Sequence, residues 1–260
     1  MSLAGKTILV TRQRMQSGQL TEEIEKRGGH AVVIPMISIS DPESWKECDE
    51  ALDRLSTYQA VVFASTNGVE AFFRRIEERK LDPSALSHTD IFPVGEKTAE
   101  EIEKRSFRVR HIPDLFSAEG LIDYFKQNEV RGRRFLLVRG NLGKDDLGKE
   151  LVSLGAEVDA VQVYRNDPPE ESAVQELKQW LDGGCDVVTF ASPSAAKNFN
   201  AVISAGSLRL SRKTKIAVIG PTTRDAVERL GFYVDIEAKE STSRGLVEAI
   251  DEYYQNNNGH

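Results

Sequence analysis

Short apolar runs alternate with segments of helical period from one end of the chain to the other. Glycine, proline or hydroxyl-bearing residues punctuate them. Residues 7–11, TILVT, read as the first strand. A helix follows around residues 20–26 and closes at Gly28 and Gly29, where glycine can take the left-handed cap conformation. The next apolar run, AVVIPMISIS, is long, and Asp41–Pro42 ends it and opens a helix through Leu52 and Leu55. The strand at Val61 leads to a helix reaching about Arg79. Residues 91–94 form a strand that ends at Gly95, and Thr98 begins a helix carrying Ala99 and Ile102. Residues 108–112 form another strand, and Ser117 caps a helix through Leu121, Ile122 and Phe125.

At Arg134 the series starts again. RRFLLVRG parallels KTILVTR, and the helix through Leu147 and Leu151 ends at Gly155. A long strand, VDAVQVYRN, precedes Asp167-Pro168-Pro169. Then come a helix over 174–181, a strand at Val187, a strand over 215–219 ending in Gly220-Pro221-Thr222-Thr223, a strand over 233–236 and a helix over about 243–253. The closing NNNGH is expected to be disordered.

The two series repeat one device. VVFASTNGVEAF at Val61 and VVTFASPSAAKNF at Val187 align Phe63 with Phe190, Ala64 with Ala191, Ser65 with Ser192 and Phe72 with Phe199 at a constant offset. Gly95/Gly220, Thr98/Thr223, Phe107/Phe232, Val109/Val234, Gly120/Gly245 and Leu121/Leu246 share a second offset. An internal duplication follows. Each copy feeds a buried strand into a helix start with hydroxyls and free backbone N–H groups, and such a terminus binds anions.

Strands alternating with helices indicate parallel sheets covered on both faces. Five strands in each half predict two doubly wound, flavodoxin-like α/β domains. Two assemblies are open. A tandem one divides the chain near residue 126. An exchanged one sends the long second strands of each half across to the other sheet, and a nine-residue strand spans roughly 30 Å, long enough to bridge two domains. The exchanged reading is favoured: one domain from 1–37 plus 167–260, the other from 38–166, a two-stranded ribbon joining them and a substrate cleft between them.

Composition removes several function classes. Net charge is −7, with 34 Lys and Arg against 41 Asp and Glu, which speaks against a nucleic-acid partner. Cys48 and Cys185 stand far apart and outside any C-x-x-C, so no disulfide framework or zinc site is expected. His30, His88, His111 and His260 make no metal-ligand pair, and no metal is expected. No apolar run approaches the roughly 20 residues of a membrane span, and the start of the chain lacks a signal-peptide core. The expectation is a cytoplasmic monomer. Neither G-x-x-x-x-G-K-[ST] nor G-x-G-x-x-G occurs, and Thr11 and Arg12 stand where a response regulator would carry acids.

ILVTR, VVFASTNGVEAF, VGEKTAEEI, FSAEGL, LLVRG, VYRNDPP, FASPSAAKNF, IAVIGPTTRDAVERLG and STSRGLVEAI, in that order, make the chain resemble uroporphyrinogen-III synthase over nearly its whole length. The resemblance implies an enzyme without a cofactor that closes linear hydroxymethylbilane into uroporphyrinogen III and inverts the last pyrrole ring. It also implies the exchanged two-domain architecture. The substrate is a polycarboxylate with four acetates and four propionates. A chain of net charge −7 cannot draw it in by its overall field, so local donors must hold it. The candidates are Ser65, Thr66, Asn67, Thr98, Ser192, Ser194, Thr222 and Thr223 at strand-to-helix turns, with Arg12 and Arg139 at the ends of matched first strands and Lys215 as a further cation.

Tyr164, in the motif where the family most often places its general acid, is the candidate catalytic residue. A phenol keeps its proton at neutral pH and can give it to a leaving hydroxyl. Plainer roles stand beside these: helix capping for the serines and threonines, surface charge for the two arginines, strand flanking for Lys215, ring packing for Tyr164. The chain departs from the family twice, with Lys144 where an arginine is common, followed by Asp145 and Asp146, and with no proline after Arg12. The competing function is a non-enzymatic two-domain protein that binds a small polyanion.

Overall fold

Alternate residues of the central strands enter opposite cores, and this period of two organises both sheets. A computed structural model describes residues 2–143 and 145–257, Met15 by its backbone alone. The elements run β1 (Thr7–Val10), α1 (Arg14–Lys26), β2 (His30–Val33), β3 (Ser38–Ser40), α2 (Lys46–Asp53), β4 (Ala60–Phe63), α3 (Thr66–Glu78), β5 (Asp90–Pro93), α4 (Glu96–Glu103) and α5 (Ala118–Lys126). They continue with β6 (Arg134–Gly140), α6 (Asp146–Ser153), β7 (Glu157–Asp167), α7 (Glu171–Gly183), β8 (Val187–Phe190), α8 (Pro193–Ala205), β9 (Lys215–Val218), α9 (Pro221–Arg229), β10 (Ile236–Glu237) and α10 (Ser243–Asn257).

The chain divides into two compact units. Unit 1 holds residues 1–38 and 167–260, and unit 2 holds residues 39–166. The sheet of unit 1 has the order β10-β9-β8-β1-β2, with the pairs β1/β2, β1/β8, β8/β9 and β9/β10 all parallel. Read in chain order this is the 2-1-3-4-5 arrangement of flavodoxin-like sheets. Ile8 and Val10 enter one core with Leu20, Ile24 and Leu246. Leu9 enters the other with Val188, Phe190 and Phe199.

The sheet of unit 2 has the order β3-β7-β6-β4-β5, with β4/β5, β4/β6 and β6/β7 parallel. Val61 and Phe63 face a core with Phe72, Ile76 and Leu136. Ala60 and Val62 face the other, with Phe125, Phe135 and Leu151. The duplicated device keeps its packing as well as its residues. Phe63 meets Phe72 edge to face at 5.4 Å, and Phe190 meets Phe199 the same way at 5.2 Å.

The structure differs from the sequence expectation in four places. The long second run is broken into β2 and β3: the Ile34 amide still donates to the Val10 carbonyl, but the next bond, from Met36, goes to the adjacent Thr11 carbonyl, so the two-residue register with the first strand is lost across Pro35. Its two ends serve different cores: Met36 is buried in unit 1, and Ile39 packs in unit 2. The strand expected over 108–112 shrinks to one bridge between Val109 and Ile91. The one expected over 233–236 becomes the short β10, whose approach places Asp235 to accept from the Ile216 amide. Asn256 and Asn257 of the NNNGH tail continue α10; Lys144 and the last three residues lie outside the described residues.

Candidate functional site

In a parallel sheet all strands end at one edge, and ligands bind outside those carboxyl ends. At this edge of unit 2, Ser65 follows β4 in extended conformation and its side chain accepts from the Gly68 amide at 3.1 Å, capping α3. Thr66 and Asn67 are half-buried in the first turn. Gly95 begins α4 without a side-chain cap, and Thr98 is buried in its first turn. Ser117 caps α5 by accepting from the Gly120 amide at 3.2 Å. The exposed Phe116 and Leu142 sit on the loops beside these turns.

Tyr164 reaches this edge from β7. The β6/β7 register slips between Arg139 and Gly140, which sets Tyr164 opposite Gly140. A Cβ on Gly140 would lie 2.5 Å from Tyr164 Cζ, so the phenol ring rests against bare backbone. The Tyr164 and Ser65 hydroxyl oxygens are 2.9 Å apart. Tyr164 is buried, and its backbone oxygen accepts from the Asn141 amide at 3.2 Å. Arg139 turns back on its own loop, donating to the Gly143 carbonyl at 3.1 Å and standing 3.4 Å from the Asp145 carboxylate.

Unit 1 repeats the edge with different chemistry. Ser192 follows β8 and caps α8 by accepting from the Ala195 amide at 3.2 Å; Ser194 is exposed one residue beyond Pro193. Gly220 begins α9, with Thr222 exposed and Thr223 buried. The Thr98 and Thr223 hydroxyls carry no hydrogen bond among the described residues. Thr242 caps α10 by accepting from the Gly245 amide at 2.9 Å. Arg12, just past β1, donates to the Ser243 hydroxyl at 3.4 Å. It has no carboxylate partner among the described residues, and partial burial lowers its pKa.

The sequence-predicted residues therefore gather at two edges, one per unit, with one exception. Lys215 begins β9 and so stands at the opposite edge from the hydroxyl turns. There its ammonium is 3.0 Å from Asp235, whose hydrogen bond raises its pKa. The expectation that Lys215 joins the carboxylate-binding set is corrected on this geometry: its charge is matched within the fold. Sequence reasoning also passed over Thr242, Ser243 and Gly140. Thr242 was within reach, since Gly120 and Gly245 match and a hydroxyl cap stands three residues before each. Gly140 becomes meaningful only once Tyr164 lies over it.

Among the described residues no cluster of three or more His, Cys, Asp or Glu side chains is placed to hold a metal ion. No helix among them is long and apolar enough to cross a membrane.

The model of the uroporphyrinogen-III synthase HemD family matches residues 18–248. The chain is 32% identical over 249 residues to the uroporphyrinogen-III synthase of Chlorobaculum parvum, covering 95% of this chain and 98% of the relative. It is 31% identical over 257 residues to that of Synechococcus elongatus, covering 96% of each. A solved mutant uroporphyrinogen III synthase from Thermus thermophilus shares the fold with a TM-score of 0.67 at 16% identity, over 97% of this chain and 100% of that one.

Proposed function

The chain belongs to the uroporphyrinogen-III synthase family, and from that premise we propose that it cyclises hydroxymethylbilane to uroporphyrinogen III with loss of water and inversion of the terminal pyrrole ring. The observation that carries the reading to the residues is the repeated hydroxyl-capped helix start, Ser65 in one unit and Ser192 in the other. The two units are read as the family's two domains, each taking a share of the substrate's carboxylates.

Each exposed helix-terminus contact with an anion is worth about 0.3–1 kcal/mol, so an eightfold carboxylate needs many of them. Ser65, Thr66, Asn67 and Thr98 supply one set, and Ser192, Ser194, Thr222 and Thr223 the other. Arg12 adds a cation that meets no carboxylate among the described residues. Arg139 is the weaker of the two arginines because Asp145 already holds it. Phe116 and Leu142 offer apolar surface to pyrrole faces.

Tyr164 acts as general acid on the terminal hydroxyl. Its proton goes to the leaving oxygen, the C–O pair departs with the water, and an azafulvene cation remains. The substituted α-carbon of the last ring attacks that cation to give a spiro intermediate, and fragmentation and reclosure invert the ring. The proton released when the final ring regains aromaticity returns to the phenolate, so the net change is loss of one water. Unassisted closure joins head to tail without inversion, so the protein's larger task is to hold the bent chain with the substituted carbon nearer. Positioning of this kind supplies several kcal/mol. The reading carries with it a cytoplasmic monomer working without a cofactor.

The test is to supply freshly made hydroxymethylbilane, oxidise the products and resolve the isomers chromatographically. Type III formation at a rate proportional to protein is expected. Type I alone, at the rate seen without protein, rules the reading out and leaves a non-enzymatic binder of a small polyanion.

A further inference from the structure

Ser65 and Tyr164 are 99 residues apart in the chain and 2.9 Å apart at their hydroxyl oxygens. The Ser65 oxygen already accepts the Gly68 amide proton at 3.1 Å. A serine hydroxyl has one proton to give and two lone pairs to receive with, so with the cap occupying one lone pair its proton is free for the phenol oxygen. The Tyr164 ring lies directly on Gly140, where any side chain would meet it.

We propose that Ser65 is a positioning residue for Tyr164, donating its proton to the phenol oxygen so that the phenol's own proton points at the substrate's terminal hydroxyl. The inference rests on the assignment of Tyr164 as general acid. Donation then runs one way, from the Gly68 amide to Ser65, from Ser65 to Tyr164, and from Tyr164 to the leaving oxygen. When the phenol proton moves to that oxygen and the C–O bond breaks, the negative charge left on the phenolate keeps the Ser65 hydrogen bond. That bond is backed in turn by the positive end of α3. A donor that strengthens as charge develops stabilises the transition state more than the ground state.

Unit 1 supplies the contrast. Ser192 caps its helix in the same way. Val33 pairs with Val10 as Val161 pairs with Val138 in the parallel segments ILVTR and LLVRG, and three residues on from each stand Met36, fully buried, and Tyr164. A thioether has no proton to transfer. One copy of the duplicated serine is thus left to capping and anion binding, while the other has gained a phenol.

A double-mutant cycle on the full chain tests this. Glycine at a cap position is tolerated with a loss of only tenths of a kcal/mol, so Ser65→Gly removes the hydroxyl and keeps the fold, which thermal unfolding verifies. Ser65→Gly is expected to lower kcat for type III formation about tenfold, the order expected for a hydrogen bond to a developing charge, and to raise KM no more than Ser192→Gly does. In the Tyr164→Phe background it is expected to lower kcat no further. Ser65→Thr, which keeps both cap and proton, is expected to restore kcat, and Ser192→Gly to act on KM instead. Full additivity of the two changes, or a Ser65→Gly effect confined to KM, overturns the inference. Undiminished turnover in Tyr164→Phe alone overturns the acid assignment beneath it, and absence of type III product with the parent protein overturns the family reaction, so the three failures are distinct.

Discussion

The Arg12 guanidinium lies 3.4 Å from the Ser243 hydroxyl and meets no carboxylate among the described residues. Burial lowers its pKa, which is the mark of a cation held at some expense to folding. Arg12→Gln is expected to raise KM about tenfold, the effect of losing one charge-assisted hydrogen bond worth about 1.5–3 kcal/mol. Its melting temperature is expected to match or exceed the parent's. Arg139→Gln is expected to change KM less, since Asp145 and the Gly143 carbonyl already occupy that side chain. Steady-state kinetics and thermal unfolding of the two variants check the pair.

Gly140 is where the backbone makes room for the Tyr164 ring. Its added Cβ would come within 2.5 Å of Cζ and 2.9 Å of the phenol oxygen. Gly140→Ala is expected to cost about 1–3 kcal/mol of stability by overpacking and to lower kcat by moving the phenol off Ser65. Denaturant unfolding and turnover measured on the same preparation check both.

Lys215 is expected to matter for stability and not for kinetics. Its hydrogen bond to Asp235, and next that to Tyr253, raise its pKa. A cation with a higher pKa folded than unfolded contributes stability that is full below the unfolded value, about 10.4, and is lost as pH rises through the folded one. Lys215→Met is expected to melt about 1–3 °C below the parent at neutral pH. The difference is expected to begin to close only as pH rises above that unfolded value, with KM at neutral pH unchanged.

Cys48 is 1% exposed and burial pushes its thiol up to about 12. Cys185, at 8% exposure, is raised by burial too. Thiolate is the reactive form, so neither cysteine is expected to react with a thiol-disulfide reagent at pH 8 until denaturant is added, when both react. Spectrophotometric thiol counting before and after unfolding checks this.

The residue pattern reveals the fold class because its signals are local. Val61 to Phe63 and Val187 to Phe190 are apolar runs too short for helices, each followed by a serine with the right geometry for a cap. The same locality explains the errors. Val109 has strand composition but finds a single partner, Ile91, and pairing is not written in composition. Lys215 was counted among the binding cations although it opens its strand, and position at a strand's start, not its end, was the signal that separates the two edges. The Ser65 and Tyr164 contact was out of reach altogether, because it depends on a one-residue register slip at Gly140. Arg12 is legible as a charge at a strand end, but that it meets a hydroxyl and no carboxylate among the described residues is a property of the packed structure.

The central claim, that the hydroxyl-capped helix starts of both units take the substrate's carboxylates, is tested most directly by amide NMR during titration with uroporphyrinogen III kept reduced. Saturable shifts are expected at Gly68, Thr98, Ala195, Thr222 and Thr223 with one shared affinity, and none at Lys215. Shifts confined to one unit, or centred on the strand edge that carries Lys215, contradict it.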